Sequence, residues 1–226
     1  MFMDYQQETA WDLRLNLLGT PIRVHPMFWI VTAILGWPYY TMTNDFTVLL
    51  TWIMAVFFSI LVHELGHVFM GKYFGTQGYI ILHGFGGVAI GSNNLSNRWK
   101  RIAVTLAGPG IQLLLYAFIL FLSEARVIPH EKDGPWSKVN LFVGFLLFIN
   151  LYWPILNLLP VFPLDGGQAL RDFLGLFLRS ADKIIFGISV IVCVLAIVYF
   201  AKTENYFMIF LFIMMAMQNI ELFKRT

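Results

Sequence analysis

Long stretches of apolar residues dominate the chain, and polar interruptions are few and clustered. Six runs stand out: Met27 to Tyr40, Phe46 to Tyr73, Ile102 to Leu122, Val139 to Leu159, Ile184 to Ala201 and Tyr206 to Ile220. A helix crossing the hydrocarbon core needs roughly 17 to 25 predominantly apolar residues, so each run is expected to span a membrane. The first and last are short, and flanking residues such as Ile22 to Pro26 and Glu221 to Phe223 would extend them, so the count lies between five and seven. Two intervening stretches differ. Gln77 to Gly91 contains β-rich Tyr79 to Leu82 and then His83-Gly84-Phe85-Gly86-Gly87, the pattern of a short strand or hairpin. From Gln168 to Leu178, apolar residues alternate with Arg171 and Asp172, which reads as an interfacial helix continuing from the fourth run. The expected fold is an all-α polytopic membrane protein of about six transmembrane helices, with a small membrane-associated β-hairpin after the second.

Composition sharpens this picture. Of 226 residues, 58% are hydrophobic and only 12% charged, against roughly 25% charged in an ordinary soluble domain. That excludes a water-soluble globule, and 22 Phe, 9 Tyr and 7 Trp exclude disorder. A net charge of +2 offers no excess to neutralise phosphates, so the lipid bilayer rather than nucleic acid is the expected partner. The single cysteine, Cys193, rules out an internal disulfide and any zinc site built from Cys pairs. Met1 to Trp11, with Asp4 and Glu8, lacks the features of a signal peptide and is expected to remain in the mature chain. There is no repeat, and residues 1–226 read as one membrane domain. Nothing in the pattern specifies an oligomeric state.

The placement of Lys and Arg orients the spans. Arg14, Arg23, Lys72, Arg98, Lys100, Arg101, Arg171, Arg179, Lys183, Lys224 and Arg225 share one side, while Arg126, Lys132, Lys138 and Lys202 hold the other. By the positive-inside rule both termini are cytoplasmic.

Of the 13 acidic residues, only Glu64 and Asp165 fall at membrane depth in this assignment. An ionisable group there costs several kcal/mol unless paired or set on a polar cavity, which marks both as candidates for function. Glu64 stands within His63-Glu64-Leu65-Gly66-His67. Two histidines at i and i+4 share a helix face and can grip one zinc ion, with the adjacent Glu placed to hold an attacking water. At this composition the pattern arises by chance roughly 0.003 times per chain, too rarely for a packing accident. Catalytic zinc usually has three protein ligands. Candidates for the third are His25, His83, His130, Glu124, Glu131, Glu204, Glu221 and Asp165. Asp165 is the strongest, because Asn157-Leu-Leu-Pro-Val-Phe-Pro-Leu-Asp165-Gly-Gly167 breaks the fourth run with two prolines and two glycines. A helix N-cap is the other role open to it.

Together, these two motifs, about a hundred residues apart, resemble the site-2 protease family of intramembrane zinc metalloproteases. Ala107-Gly108-Pro109-Gly110 with Gln112 is similar to that family's third signature, although Asn is more usual there than Gln112. The resemblance covers roughly Leu18 to Arg171, leaving 172–226 as additional helices, and no inserted PDZ or appended CBS domain is apparent. It implies one Zn2+ per chain held by His63, His67 and Asp165, with Glu64 as catalytic acid and base and Asn157 contacting the substrate backbone. The implied activity is hydrolysis of peptide bonds within or near transmembrane segments of a substrate protein, inside the bilayer near the cytoplasmic side. The strand edge around Gly84, Phe85, Gly86 and Gly87 lets another chain approach closely, so substrate is expected to add there as a strand. Two rivals are a membrane metal-ion transporter and a catalytically silent membrane-binding scaffold. The transporter predicts a polar through-path, whereas the outer halves of these runs are almost wholly apolar. The scaffold leaves the intact Glu64 without a role.

The orientation is open to direct test. Single cysteines near Lys100 and Arg179 are expected to label from the cytoplasmic side, and one near Asp133 from the opposite side; inverted labelling would move the site to the other leaflet.

Overall fold

The computed structural model describes residues 8–127 and 137–226; His130, Glu131, Lys132, Asp133 and the first seven residues lie outside them. In chain order the elements are β1 (Leu13–Leu17), β2 (Thr20–Val24), α1 (Pro26–Thr43), α2 (Phe46–Tyr73), β3 (Tyr79–His83), β4 (Gly86–Ile90), α3 (Arg98–Glu124), α4 (Ser137–Asn157), α5 (Asp165–Leu174), α6 (Ala181–Lys202) and α7 (Tyr206–Arg225). Each apolar run thus becomes a helix. Four of them start at a side chain that accepts a backbone N–H: His25 for α1, Asp45 for α2, Asn97 for α3 and Asn205 for α7. Among the described residues, five helices are long and apolar enough to cross a bilayer. The shorter α1 carries Gly36, Trp37, Pro38 and two tyrosines and is less apolar. The chain is an integral multi-pass membrane protein.

Three features depart from the pattern-based expectation. Ile22 to Pro26 does not lengthen the first helix, because Thr20–Val24 is a strand and α1 starts at Pro26. The hairpin after α2 is half of a four-stranded sheet ordered β1-β2-β3-β4. Finally, α5 does not continue α4. The chain leaves helical geometry at Leu158, passes Pro160 and Pro163, and re-enters a helix at Asp165, as expected where prolines remove the N–H a continuous helix needs.

In the sheet, β1 and β2 are antiparallel across a two-residue turn in which Leu18 and Gly19 have φ of 50° and 69°. Positive φ at both central residues matches the twist of a tight hairpin. Next, β2 and β3 are parallel, with Ile22 opposite Ile80 and Val24 opposite Leu82, so the α1–α2 pair forms the crossover. Antiparallel β4 is the outer edge. The end of α2 is tied to the β1–β2 turn by Lys72, whose Nζ donates to Leu18 O at 3.3 Å, Gly19 O at 3.2 Å and Thr20 Oγ1 at 2.8 Å.

Helix α2 is the centre of the molecule, packed by α1, α3, α4, β3 and β4. Around its first half Phe28, Trp52, Phe57, Phe145 and Ile149 form one core, with the Trp52 indole donating to Thr32 O at 3.1 Å. A second core joins Val161 to Cys193, Phe212 and Ala216 of α6 and α7. Polar ties hold α5 to its neighbours: Arg101 of α3 forks onto Asp172, and Arg171 donates to Asp182 of α6 at 2.6 Å.

Candidate metal centre

His63, Glu64 and His67 are buried where α2 is enclosed by other elements. Their spacing on the helix brings the two imidazoles edge to face, with ring centroids 4.8 Å apart. Each ring is fixed through Nδ1. That of His67 donates to Val104 O at 2.8 Å. That of His63 lies 2.8 Å from Gln112 Oε1, and Gln112 Nε2 donates to Ser59 O at 3.0 Å. Because Ser59 O must receive a donor, Gln112 turns its oxygen to His63, which therefore donates from Nδ1. With Nδ1 donating, a neutral ring keeps its Nε2 lone pair, and the two Nε2 atoms converge to 3.1 Å.

Asp165 completes the cluster. It is the first residue of α5, whose N-cap position is Leu164. Its Oδ2 lies 3.0 Å from His63 Nε2 and 3.5 Å from His67 Nε2, and it is buried with no hydrogen-bond partner. Three lone-pair-bearing atoms that face one another in a buried site repel unless a metal cation or a shared proton lies between them. Metal–ligand bonds of about 2.0–2.1 Å set tetrahedral edges of roughly 3.3–3.4 Å, and the observed spacings match that triangle. The donor set of two neutral imidazoles and one carboxylate suits zinc. Among the described residues, no other group of three metal-binding side chains converges in this way.

Glycines make the convergence sterically possible. A Cβ on Gly108 of α3 would overlap the His67 ring, and one on Gly66 would lie 2.6 Å from Ala107 O. The two helices therefore touch backbone to side chain at the site. A Cβ on Gly166 or Gly167 would strike the backbone of Leu158 or Val161, so α5 folds back onto the end of α4 only with glycine at both positions. The glutamine that departs from the usual asparagine also has an account: its longer arm reaches His63 and Ser59 O together.

The remaining expected residues fall around the site unevenly. The carboxyl of Glu64 sits beneath β4, where a Cβ on Gly87 would come within 2.6 Å of Glu64 Oε1. Gly86 faces the Trp153 ring of α4, whereas Gly84 packs against Val31 of α1 and Phe85 is exposed. Asn157 donates from Nδ2 to Trp153 O within its own helix, at 3.0 Å. Asn150 bonds Ser59 Oγ across helices at 2.9 Å. Of the other third-ligand candidates, His25 caps α1 and Glu221 pairs with Arg225. His83 accepts the Phe85 N–H, and burial, aided by nearby His25, lowers its pKa to about 4, which keeps it neutral. Sequence reasoning did not find Ser59 or the Val104 carbonyl. Neither carries a spacing signal, since their partners lie 53 and 37 residues away.

The chain is similar to known proteins in both sequence and fold. The Peptidase family M50 profile matches residues 126–200. Stage IV sporulation protein FB of Bacillus subtilis is 32% identical over 151 residues, covering 66% of this chain and 46% of that protein. A zinc metalloprotease of Methanocaldococcus jannaschii is 27% identical over 164 residues, covering 70% and 44%. The chain thus spans about half the length of these curated relatives. The site-2 protease from Methanocaldococcus jannaschii superposes with a TM-score of 0.67 at 23% identity, covering 94% of this chain and 95% of that one.

Close contact between Gly108 and His67 yields a prediction. Gly108→Ala is expected to push the imidazole off its Val104 acceptor and weaken zinc binding by about 10- to 100-fold. Zinc titration of the purified variant checks it, with retained helical circular dichroism separating this from unfolding.

Proposed function

With the site-2 protease fold and sequence similarity to zinc metalloproteases in place, we propose that this chain is an intramembrane zinc endopeptidase cutting peptide bonds within or near transmembrane segments of other membrane proteins. The observation that carries the proposal is the convergence of His63 Nε2, His67 Nε2 and Asp165 Oδ2 beside Glu64. These three side chains would hold one zinc ion. When bound, zinc supplies a Lewis acid for the scissile carbonyl and for the attacking water. Glu64, not among the three converging ligands, takes the proton from that water and returns it to the leaving amine. Gln112 and the Val104 carbonyl keep both rings in the tautomer that leaves Nε2 free. Lys72, five residues past His67 on α2, lies about 7.5 Å further along the axis. With cytoplasmic termini, this spacing supports a centre within the bilayer close to cytoplasmic water.

A peptide bond in an intact helix is shielded, so substrate must be extended before it can react. Edge strand β4 passes directly over Glu64, with Gly87 against its carboxyl. We assign this edge, from Gly86 and Gly87 onward, as the place where substrate adds as a strand, with Asn157 holding its other side. Gly84 and Phe85 shape the turn that leads into it.

Two measurements test the proposal. Glu64→Gln is expected to keep near-stoichiometric zinc and lose cleavage by on the order of 10²- to 10⁴-fold, whereas His63→Ala and Asp165→Ala lose both. Full zinc in purified Asp165→Ala would remove Asp165 from the ligand set. For strand addition, a substrate N-methylated at alternate backbone amides near the scissile bond is expected to raise KM roughly tenfold in one register and leave it unchanged in the other. Equal behaviour of both registers would rule out pairing at this edge.

A further inference from the structure

The stretch that delivers Asp165 is gripped from behind by helices outside the motif-bearing core. Ser189 of α6 and Asn219 of α7 are each wholly buried. Ser189 Oγ accepts the Phe162 N–H at 2.9 Å while donating to Ile185 O at 2.7 Å. Asn219 Nδ2 donates to Phe162 O at 2.6 Å and to Met215 O at 2.8 Å. Both backbone groups of Phe162 are therefore satisfied by side chains from two different spans, three residues before Asp165. The Phe162 ring meets Phe186 edge to face at 5.5 Å, and buried Val161 fills the core of Cys193, Phe212 and Ala216. From that point the path to the metal centre is short and bonded, with Leu164 N donating to Val161 O at 2.8 Å and Gln168 Nε2 donating to Pro163 O at 2.8 Å.

Helix packing alone would be served by Ala and Leu at these positions. Asn219 instead leaves its Oδ1 buried without a partner, an expense that a leucine would avoid. Of its two hydrogen bonds, the one that leaves its own helix goes to Phe162.

We propose that Ser189 and Asn219 are positioning residues for the metal centre: together they clamp the Phe162 peptide so that Asp165 Oδ2 is held at its 3.0 and 3.5 Å spacing from the two histidine nitrogens. The proposal rests on the zinc reading above. It gives α6 and α7 a part in metal affinity rather than only in filling the bilayer.

The test uses the full chain in detergent micelles or nanodiscs and measures two quantities: the zinc dissociation constant by chelator competition, and the melting temperature of the metal-free protein. Ser189→Ala, Asn219→Leu and the double variant are compared with Phe212→Leu, which loosens the same core without touching the Phe162 backbone. Each clamp variant is expected to bind zinc about 10- to 100-fold more weakly, and Phe212→Leu to melt earlier with zinc affinity within about twofold of the parent. Ser189→Ala removes a single oxygen and keeps the test decisive if Asn219→Leu does not fold. Clamp variants that keep parental zinc affinity, or a Phe212→Leu variant that loses zinc affinity as much as they do for the same loss of metal-free stability, overturn the proposal. A parent chain that takes up no zinc, or takes it up equally after His63→Ala, would instead overturn the zinc reading itself and this inference with it.

Discussion

Everything at the centre depends on how closely α2 can approach α3. In lipid there is no water to satisfy a stray polar group, so two histidines and a glutamate on a spanning helix need partners from neighbouring helices. Those partners come from α3: Val104 O and Gln112 Oε1 each take an imidazole N–H. They reach only because Gly66 lies against Ala107 O and Gly108 lies against the His67 ring. The glycines and the hydrogen bonds are one device, since the small residues bring the backbones together and the close backbones supply the acceptors.

The same logic governs the other half of the centre, with backbone taking the place of a neighbouring helix. Asp165 must arrive from a different span, and a continuous α4–α5 helix would carry it past the site. Pro160 and Pro163 end the helical ladder, while Gly166 and Gly167 let the new helix start pressed against the chain it has just left. Non-helical backbone at membrane depth is tolerated only where its groups are bonded within protein, and Phe162 shows both of its groups so bonded. Charged pairs at Asp172 and Asp182 then fix the far end of α5.

What the chain pattern made legible follows from which constraints are local. All six apolar runs coincide closely with helices because lipid demands an unbroken apolar segment. The His63–His67 pair is legible because its geometry is set by one helix. Asp165 stands out because the prolines and glycines that aim it are adjacent to it. Strands β1 and β2 were missed because Leu13, Leu15 and Leu17 alternate over only five residues, too few to stand out beside long apolar runs, and the parallel pairing of β2 with β3 spans two helices. Ser189 and Asn219 were invisible for a related reason. A lone Ser or Asn in an apolar run has no motif, and its partner lies 27 or 57 residues away.

The proposed strand addition would give a helical membrane protein a use for its strands. A helix satisfies its own backbone and offers an unfolded segment nothing to pair with, whereas an edge strand presents free N–H and C=O groups in a row. Here that edge is β4, and it is stacked on β3, which is buried between the edge and the helices. The strand inherits its rigidity from α2 twice over, through the β2–β3 pairing that α1 and α2 bridge and through Lys72 on the β1–β2 turn. Glu64 projects from that same helix and meets Gly87 of the edge. Glu64 and the β4 edge are therefore referenced to a single rigid element, so that, on the proposed reading, a segment adding to β4 would be brought to Glu64 and to the converging nitrogens without any element having to move.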